Sequence, residues 1–310
     1  MITYLVPWIL VVCMLAAISS VYWLLDRAER RLQSGKRSPF PKEFLRSRGH
    51  SLYEKIEEKR LDFLGWWMGV MLILPLLYAA FISQAYFANK QISHVNWLFY
   101  AVIGLIGLIY LGRKTIPCFR EIRVLRLGYE GELGVGKELN QLMLYGFRVY
   151  HDFPAGKFNI DHIVIGPTGV FAVETKARSK PDTGKGKADA TVVCEGNRLV
   201  FPGWTESEPL EQAKRQAAWL SHWLASAVGE RVAVKAALVI PGWLVERKKI
   251  ADVLAFNARE SQKAIVDYSG ARLNDSMIQR IAHQVEDKCR DVAPRSNVAA
   301  KQAKSKFLRG

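Results

Sequence analysis

Cysteine is scarce and scattered in this chain of 310 residues: Cys13, Cys118, Cys194 and Cys289 form no CxxC pair and no cluster with histidine. That pattern gives little support to a disulfide framework or a structural zinc site, and leaves free, reduced thiols as the expectation. Acidic residues are also short, 29 Asp and Glu against 44 Lys and Arg, for a net charge of +15. Such an excess suits an anionic partner, either lipid head groups or nucleic acid, without choosing between them. No internal repeat is present.

Charge is missing altogether from three long stretches, residues 2–25, 63–89 and 91–112. Each is long enough to cross a hydrocarbon core of about 30 Å as a helix. Aromatic residues gather toward their ends: Trp8, Tyr22 and Trp23, then Trp66, Trp67 and Tyr86, then Trp97, Tyr100 and Tyr110. Amphipathic rings favour that depth, where the bilayer meets water. The first stretch lacks a basic leader and exceeds the usual signal-peptide core, so it reads as a retained span. Basic residues crowd the segment between spans one and two (Arg27 to Arg60) and return after span three from Arg113, whereas the loop between spans two and three holds only Lys90. By the positive-inside rule the N-terminus faces out, and the long loop and C-terminal part face the cytoplasm. Pro75 removes a backbone donor inside span two and predicts a kink there. With no Asp, Glu, Lys or Arg in any span, the spans read as an anchor rather than a transport path.

Beyond Glu130 the pattern changes to short alternating elements. Residues 131–145 read as a helix, with Val135, Leu139 and Leu142 on one stripe and Gly146 as its stop. Strands are predicted over 147–153, 159–165 and 170–176, the last two joined by the turn Gly166-Pro167-Thr168-Gly169. A loose basic loop over 177–187 leads to an added hairpin over 191–200. Thr205 and Glu208 form a capping box for a helix reaching Val228. A strand over 235–240 stops at Pro241-Gly242, another strand or two follow, and a helix spans 274–291. That order predicts an α/β sandwich with a mixed sheet.

If the turn is literal, Ile165 pairs with Val170 and Asp161 falls opposite Glu174, with Lys176 two residues on along the same face. Two opposed carboxylates repel unless a cation sits between them. Their oxygens suit Mg²⁺ or Mn²⁺, and the lysine can orient or activate water. On spacing alone the same trio is equally a surface salt-bridge cluster. Glu132 lies on the apolar stripe of the first helix, three residues before Val135, where a carboxylate needs a partner. Gln212 lies near the start of the second long helix.

Together these residues, Gly128-Tyr129-Glu130-Gly131-Glu132, the run Ile160-Asp161-His162 through Gly166-Pro167-Thr168-Gly169-Val170-Phe171, Glu174-Thr175-Lys176 and Pro209-x-x-Gln212, resemble the nuclease-related domain (NERD) family, a branch of the PD-(D/E)xK nuclease superfamily. The resemblance covers about Gly128 to Trp243. It implies a restriction-endonuclease-like α/β/α domain with a mixed sheet behind three transmembrane helices. It implies Asp161, Glu174 and the Thr175 carbonyl as ligands of Mg²⁺ or Mn²⁺, Lys176 as the catalytic lysine, and Glu132 and Gln212 in support. The reaction implied is phosphodiester hydrolysis of DNA or RNA. Arg178, Lys180, Lys185 and Lys187 of the basic loop are then the expected contacts to a phosphate backbone. Ile160 stands where the proline of the superfamily's Pro-Asp dipeptide would be, as the NERD pattern allows.

The expected organisation is a first span at 1–25, a basic cytoplasmic loop at 26–62, spans at 63–89 and 91–112, and a basic linker at 113–127. The nuclease-like domain follows at 128–245, its extension at 246–292 and a basic disordered tail at 293–310. Several other readings are set aside. Gly131-x-x-x-x-Gly136-Lys137 lacks the hydroxyl residue of a P-loop, so no nucleotide cofactor is expected. His162 points away from Asp161 and reads as packed or capping. Trp219 and Trp223, four apart, read as packing rather than a base-stacking platform. The competing function is a membrane-tethered module that binds nucleic acid or protein without catalysis, and a third is a lipid-surface scaffold using the basic tail.

Overall fold

The computed structural model describes residues 43–87, 94–184, 186–248, 252–270 and 272–293, with isolated positions between Ala16 and Arg31. The chain divides into two compact units, Met1–Pro41 with Glu58–Ile122, and Lys42–Glu57 with Arg123–Gly310. Its elements run β1 (Phe44–Leu45), α1 (His50–Phe87), α2 (His94–Asn140), β2 (Arg148–Pro154), β3 (Asn159–Gly166) and β4 (Gly169–Thr175). After these come β5 (Thr191–Glu195), β6 (Arg198–Phe201), β7 (Trp204–Glu206), α3 (Glu208–Val228), β8 (Val234–Val239) and β9 (Leu244–Arg247). The chain closes with β10 (Leu254–Phe256), α4 (Ser261–Val266), α5 (Asp275–Cys289) and β11 (Arg290–Val292).

Helices α1 and α2 supply two stretches long and apolar enough to cross a membrane, within His50–Gln84 and Trp97–Tyr145. Among the described residues there are two such helices where three spans are expected; the first expected span, 2–25, lies almost wholly outside them. The two helices pack closely. A Cβ on Gly107 would fall 2.0 Å from Ile73 Cδ1, so a larger residue there would have to turn the Ile73 side chain aside. Trp66 meets Tyr110 edge-on, Phe81 meets Tyr100, and the Tyr100 hydroxyl donates to Gln84 at 2.9 Å. The last part of the expected loop 26–62, from His50, and all of the linker 113–127 are helical, because α1 begins at His50 and α2 runs on to Asn140. Glu, Lys, Arg and Leu dominate both segments, and these residues favour helix even where they end an apolar run.

The second unit holds a five-stranded mixed sheet in the order β10-β8-β4-β3-β2. β2, β3 and β4 are antiparallel neighbours, while β8 runs parallel to both β4 and β10. One face packs on α3 and α5 through residues such as Ile163, Ile165, Ala172, Leu238, Leu220 and Ile281. The other packs on the end of α2 and on α4 through Val135, Leu139, Phe171, Val173, Val239 and Ile265. Both faces are buried, which is why β3 and β4 read as near-continuous apolar runs. The result is the expected α/β/α mixed-sheet sandwich.

A separate four-stranded sheet, β7-β6-β5-β9, is inserted between β4 and α3 and includes β9 from beyond β8. Its β5–β6 turn falls at Gly196-Asn197, as expected. Two boundaries differ from the sequence reading. The predicted helix at 131 is the last part of α2, ending in a 3-10 turn over Gln141–Tyr145 that Gly146 closes at φ 80°. The N-cap of α3 is Ser207, with Pro209 in the first turn, so the Thr205–Glu208 capping box does not form. Cys118, Cys194 and Cys289 are buried free thiols.

Candidate active site

The hairpin register is the one counted from its turn. Ile165 pairs with Val170 and His162 with Val173, and one further step sets Asp161 opposite Glu174. Even-numbered residues of β4 face α3, so Glu174 lies on that side with Lys176 beyond it. The Asp161 carboxylate accepts the Thr175 backbone N–H at 2.7 Å, closing the frayed end of the hairpin. Lys176 donates its backbone N–H to Val239 at 2.9 Å, and its Nζ lies 3.9 Å from Glu174 Oε1. Gln212 on α3 accepts from Lys176 Nζ at 3.5 Å, a long contact. Asp161, Glu174, Lys176 and Gln212 are thus brought together.

Glu132 stands at the end of α2, 7% exposed. Burial, then Asp152 and Glu174, push its carboxyl up to about 8. Burial also lifts Glu174 to about 7, against the pull of Lys176 and of a hydrogen bond from Gln216. Asp161 is pushed well above the usual range by burial, Glu174 and Glu132. Carboxylates clustered away from water with one lysine nearby hold their protons for that reason.

Gln216 was not foreseen. It is 2% exposed and donates from Nε2 to Glu174 Oε2 at 2.7 Å and to the Asn159 carbonyl at 3.3 Å. The clue lay in α3's apolar stripe, Ala213, Ala217 and Leu220, where Gln216 is the polar exception. The reasoning that singled out Glu132 applies equally there.

The remaining expected residues fall less centrally. Arg178 forms a two-pronged pair with Glu206, at 3.0 and 2.7 Å, and its carbonyl accepts from Trp243 Nε1. Lys180 and Lys187 are exposed, and Lys185 lies outside the described residues. Thr175 has a buried hydroxyl with no partner. Among the described residues no three His, Cys, Asp or Glu side chains converge closely enough to hold a metal ion on their own.

His162 is fully buried on the other face, its Nδ1 2.9 Å from Nδ1 of His151, whose Nε2 meets the Asn140 amide at 3.0 Å. Trp219 and Trp223 stack at 6.4 Å and close edge-on around Phe153, so they pack the core. The P-loop-like glycines lie within helix α2. Gly136 is a close approach, since a Cβ there would meet Arg48 Cδ at 2.4 Å, whereas Gly134 has open space.

At Gly131 a Cβ would lie 2.8 Å from the Ala177 Cβ, just past Lys176. The expected result for Gly131→Val is a destabilisation of about 2 kcal/mol from overpacking, read as a lower denaturation midpoint. An unchanged midpoint would show that α2 does not press on this strand end.

Residues 127–241 match the family model of the nuclease-related domain, NERD. No curated protein and no solved structure matches the chain. The match begins one residue before Gly128 and includes Glu132, Asp161, Glu174, Thr175, Lys176 and Gln212, so this part of the chain is similar to the NERD family over the whole of the site just described.

Proposed function

We propose that the protein is a membrane-anchored nuclease whose C-terminal domain faces the cytoplasm and hydrolyses phosphodiester bonds of DNA or RNA with Mg²⁺ or Mn²⁺. The observation that carries the reading is the meeting of Asp161, Glu174, Lys176 and Gln212 at one strand end, within the segment similar to a nuclease-related family. Two apolar helices support the anchor, and the basic residues flanking them support the orientation.

The residues fit a divalent cation. Half-buried Asp161 and buried Glu174 lie across the hairpin from each other, retain protons because they are held away from water, and offer hard oxygen donors. They and the Thr175 carbonyl would hold the ion. When bound, it would polarise the phosphate and lower the pKa of a water. The chain's own groups do the rest. Gln216 fixes Glu174 by a buried hydrogen bond, and Gln212 steers the Lys176 ammonium, which orients the attacking water and offsets charge on the phosphate. Glu132 adds a further buried carboxyl from α2, within electrostatic reach of Glu174. Exposed Lys180 and Lys187 would meet the sugar-phosphate backbone, whereas Arg178 would first have to leave Glu206.

A tethered binding module is the second reading, favoured by the lack of a ready three-ligand metal group among the described residues. One assay separates the two. Full-length protein in detergent is mixed with labelled single- and double-stranded DNA and RNA, with Mg²⁺, Mn²⁺ or EDTA, beside Asp161→Ala. Cleavage that needs metal and is lost in the variant is the expected result. Binding that is indifferent to EDTA and to the substitution, without cleavage, would replace the nuclease with the binding module.

A further inference from the structure

The family match starts at residue 127, yet the unit that contains the site also includes Lys42–Glu57, the segment ahead of the apolar part of α1. Two residues of this segment, Arg46 and Ser51, converge on Asp152 of β2. Arg46 NH1 donates to Asp152 Oδ2 at 2.9 Å and to its carbonyl at 3.3 Å. Ser51 donates to Oδ2 from both its backbone N–H, at 3.2 Å, and its hydroxyl, at 2.7 Å. Asn159 Nδ2 donates to Oδ1 at 3.2 Å and also to the Ser51 hydroxyl. Asp152 is 3% exposed and sits at φ 51°, a left-handed conformation that costs a non-glycine residue on the order of 1 kcal/mol. It is the one such residue among those described, and its surroundings over-determine it.

Asp152 lies opposite Asp161 in the β2–β3 register, flanked by the pairs His151–His162 and Phe153–Ile160. Asn159 extends the network toward the site. Its carbonyl accepts from Gln216 Nε2, and the same Nε2 donates to Glu174. A polar network therefore runs from Arg46 and Ser51 through Asp152 to the Asn159 side chain, and on from the Asn159 backbone carbonyl through Gln216 to Glu174. The other side of the Arg46 guanidinium grips Asp291 of β11, at 2.7 and 2.8 Å, and so ties the segment to the C-terminal end of the unit as well.

We propose that the segment Lys42–Glu57 is a working part of the site, with Arg46 and Ser51 as positioning residues that set the Glu174 carboxylate through Asp152, Asn159 and Gln216. The inference rests on the nuclease reading, in which Glu174 is a metal ligand. Groups that hold a ligand without touching the metal typically alter its affinity about 10- to 100-fold when removed. The family-matched stretch alone, lacking this segment, then carries a site with a loose ligand.

The test titrates Mn²⁺ alone into the full-length protein in detergent at fixed pH, reading affinity by electron paramagnetic resonance, with thermal midpoints recorded beside it. Arg46→Ala is expected to weaken Mn²⁺ binding about ten-fold, with cleavage restored by excess Mn²⁺. Ser51→Ala, a milder change that decides the matter if Arg46→Ala does not fold, is expected to weaken it about three-fold, since Asp152 keeps its bonds from Arg46, Asn159 and the Ser51 backbone N–H. Asp291→Asn cuts only the arm toward β11, so it should lower the thermal midpoint and leave Mn²⁺ affinity as it was. Wild-type affinity in Arg46→Ala and Ser51→Ala, or an equal loss in Asp291→Asn, would overturn the inference and leave the nuclease intact. A wild-type protein that binds no Mn²⁺ would end both.

Discussion

Glu174→Gln is expected to abolish metal-dependent cleavage while making the metal-free protein more resistant to heat. The loss follows from the role assigned to the carboxylate: a neutral amide holds a divalent cation poorly, and the ion is worth several kcal/mol to the reaction, about 10³-fold in rate. The gain follows from where the carboxylate sits. Glu174 is 3% exposed, faces Asp161, and has its carboxyl lifted to about 7. A rise of that size corresponds to on the order of 3 kcal/mol of folded-state cost once the group is ionised. Glutamine keeps the shape and can still accept from Gln216, and the lost contact with Lys176, at 3.9 Å, is weak. At pH 8 in EDTA the denaturation midpoint should therefore rise by several degrees. A variant that melts lower and still cleaves would remove Glu174 from the site.

The same carboxylates fix the direction of the pH dependence. Glu132 and Glu174 are lifted from the ordinary range to about 8 and about 7, and Asp161 is raised too. Between about pH 4.5 and 8 the unfolded chain has already given up these protons while the folded chain keeps them. The folded state binds more protons, so stability falls as pH rises through that window. Buried His151 and His162 give the opposite slope below about pH 6.5, so without metal the melting midpoint should decline chiefly from about pH 6.5 to pH 8, and Glu132→Gln should flatten the upper part of the decline. Adding Mn²⁺ should restore the midpoint most at pH 8, where the carboxylates are free to bind it, and little at pH 5. A metal-free midpoint that holds level or climbs to pH 8 would contradict the buried acidic cluster.

The hairpin and its pair of carboxylates were legible because Gly166-Pro167-Thr168-Gly169 allows one register, and a strand places every second residue on one face. Glu132 was legible as a charge on an apolar stripe. Gln216 carried the same mark and was passed over, because glutamine on a helix is ordinarily surface. The helical stretches from His50 and through Arg113 were hidden by their charge, which marks the end of an apolar run without marking the end of a helix. The tie between Arg46 and Asp152 was beyond reach. It joins residues 106 apart, and no local period records such a contact.

One consequence concerns how titrations of this protein are to be assigned. The two imidazoles that face each other beneath the sheet, His151 and His162, are held neutral: burial depresses His151 to about 4 and His162 well below its usual value. Around the site, the buried side chains lifted toward neutrality are carboxylic acids instead. A carboxyl stretch in the infrared that titrates around neutrality in the metal-free protein is therefore assigned to Glu174 or Glu132, and no imidazole shift from the His151–His162 pair should accompany it.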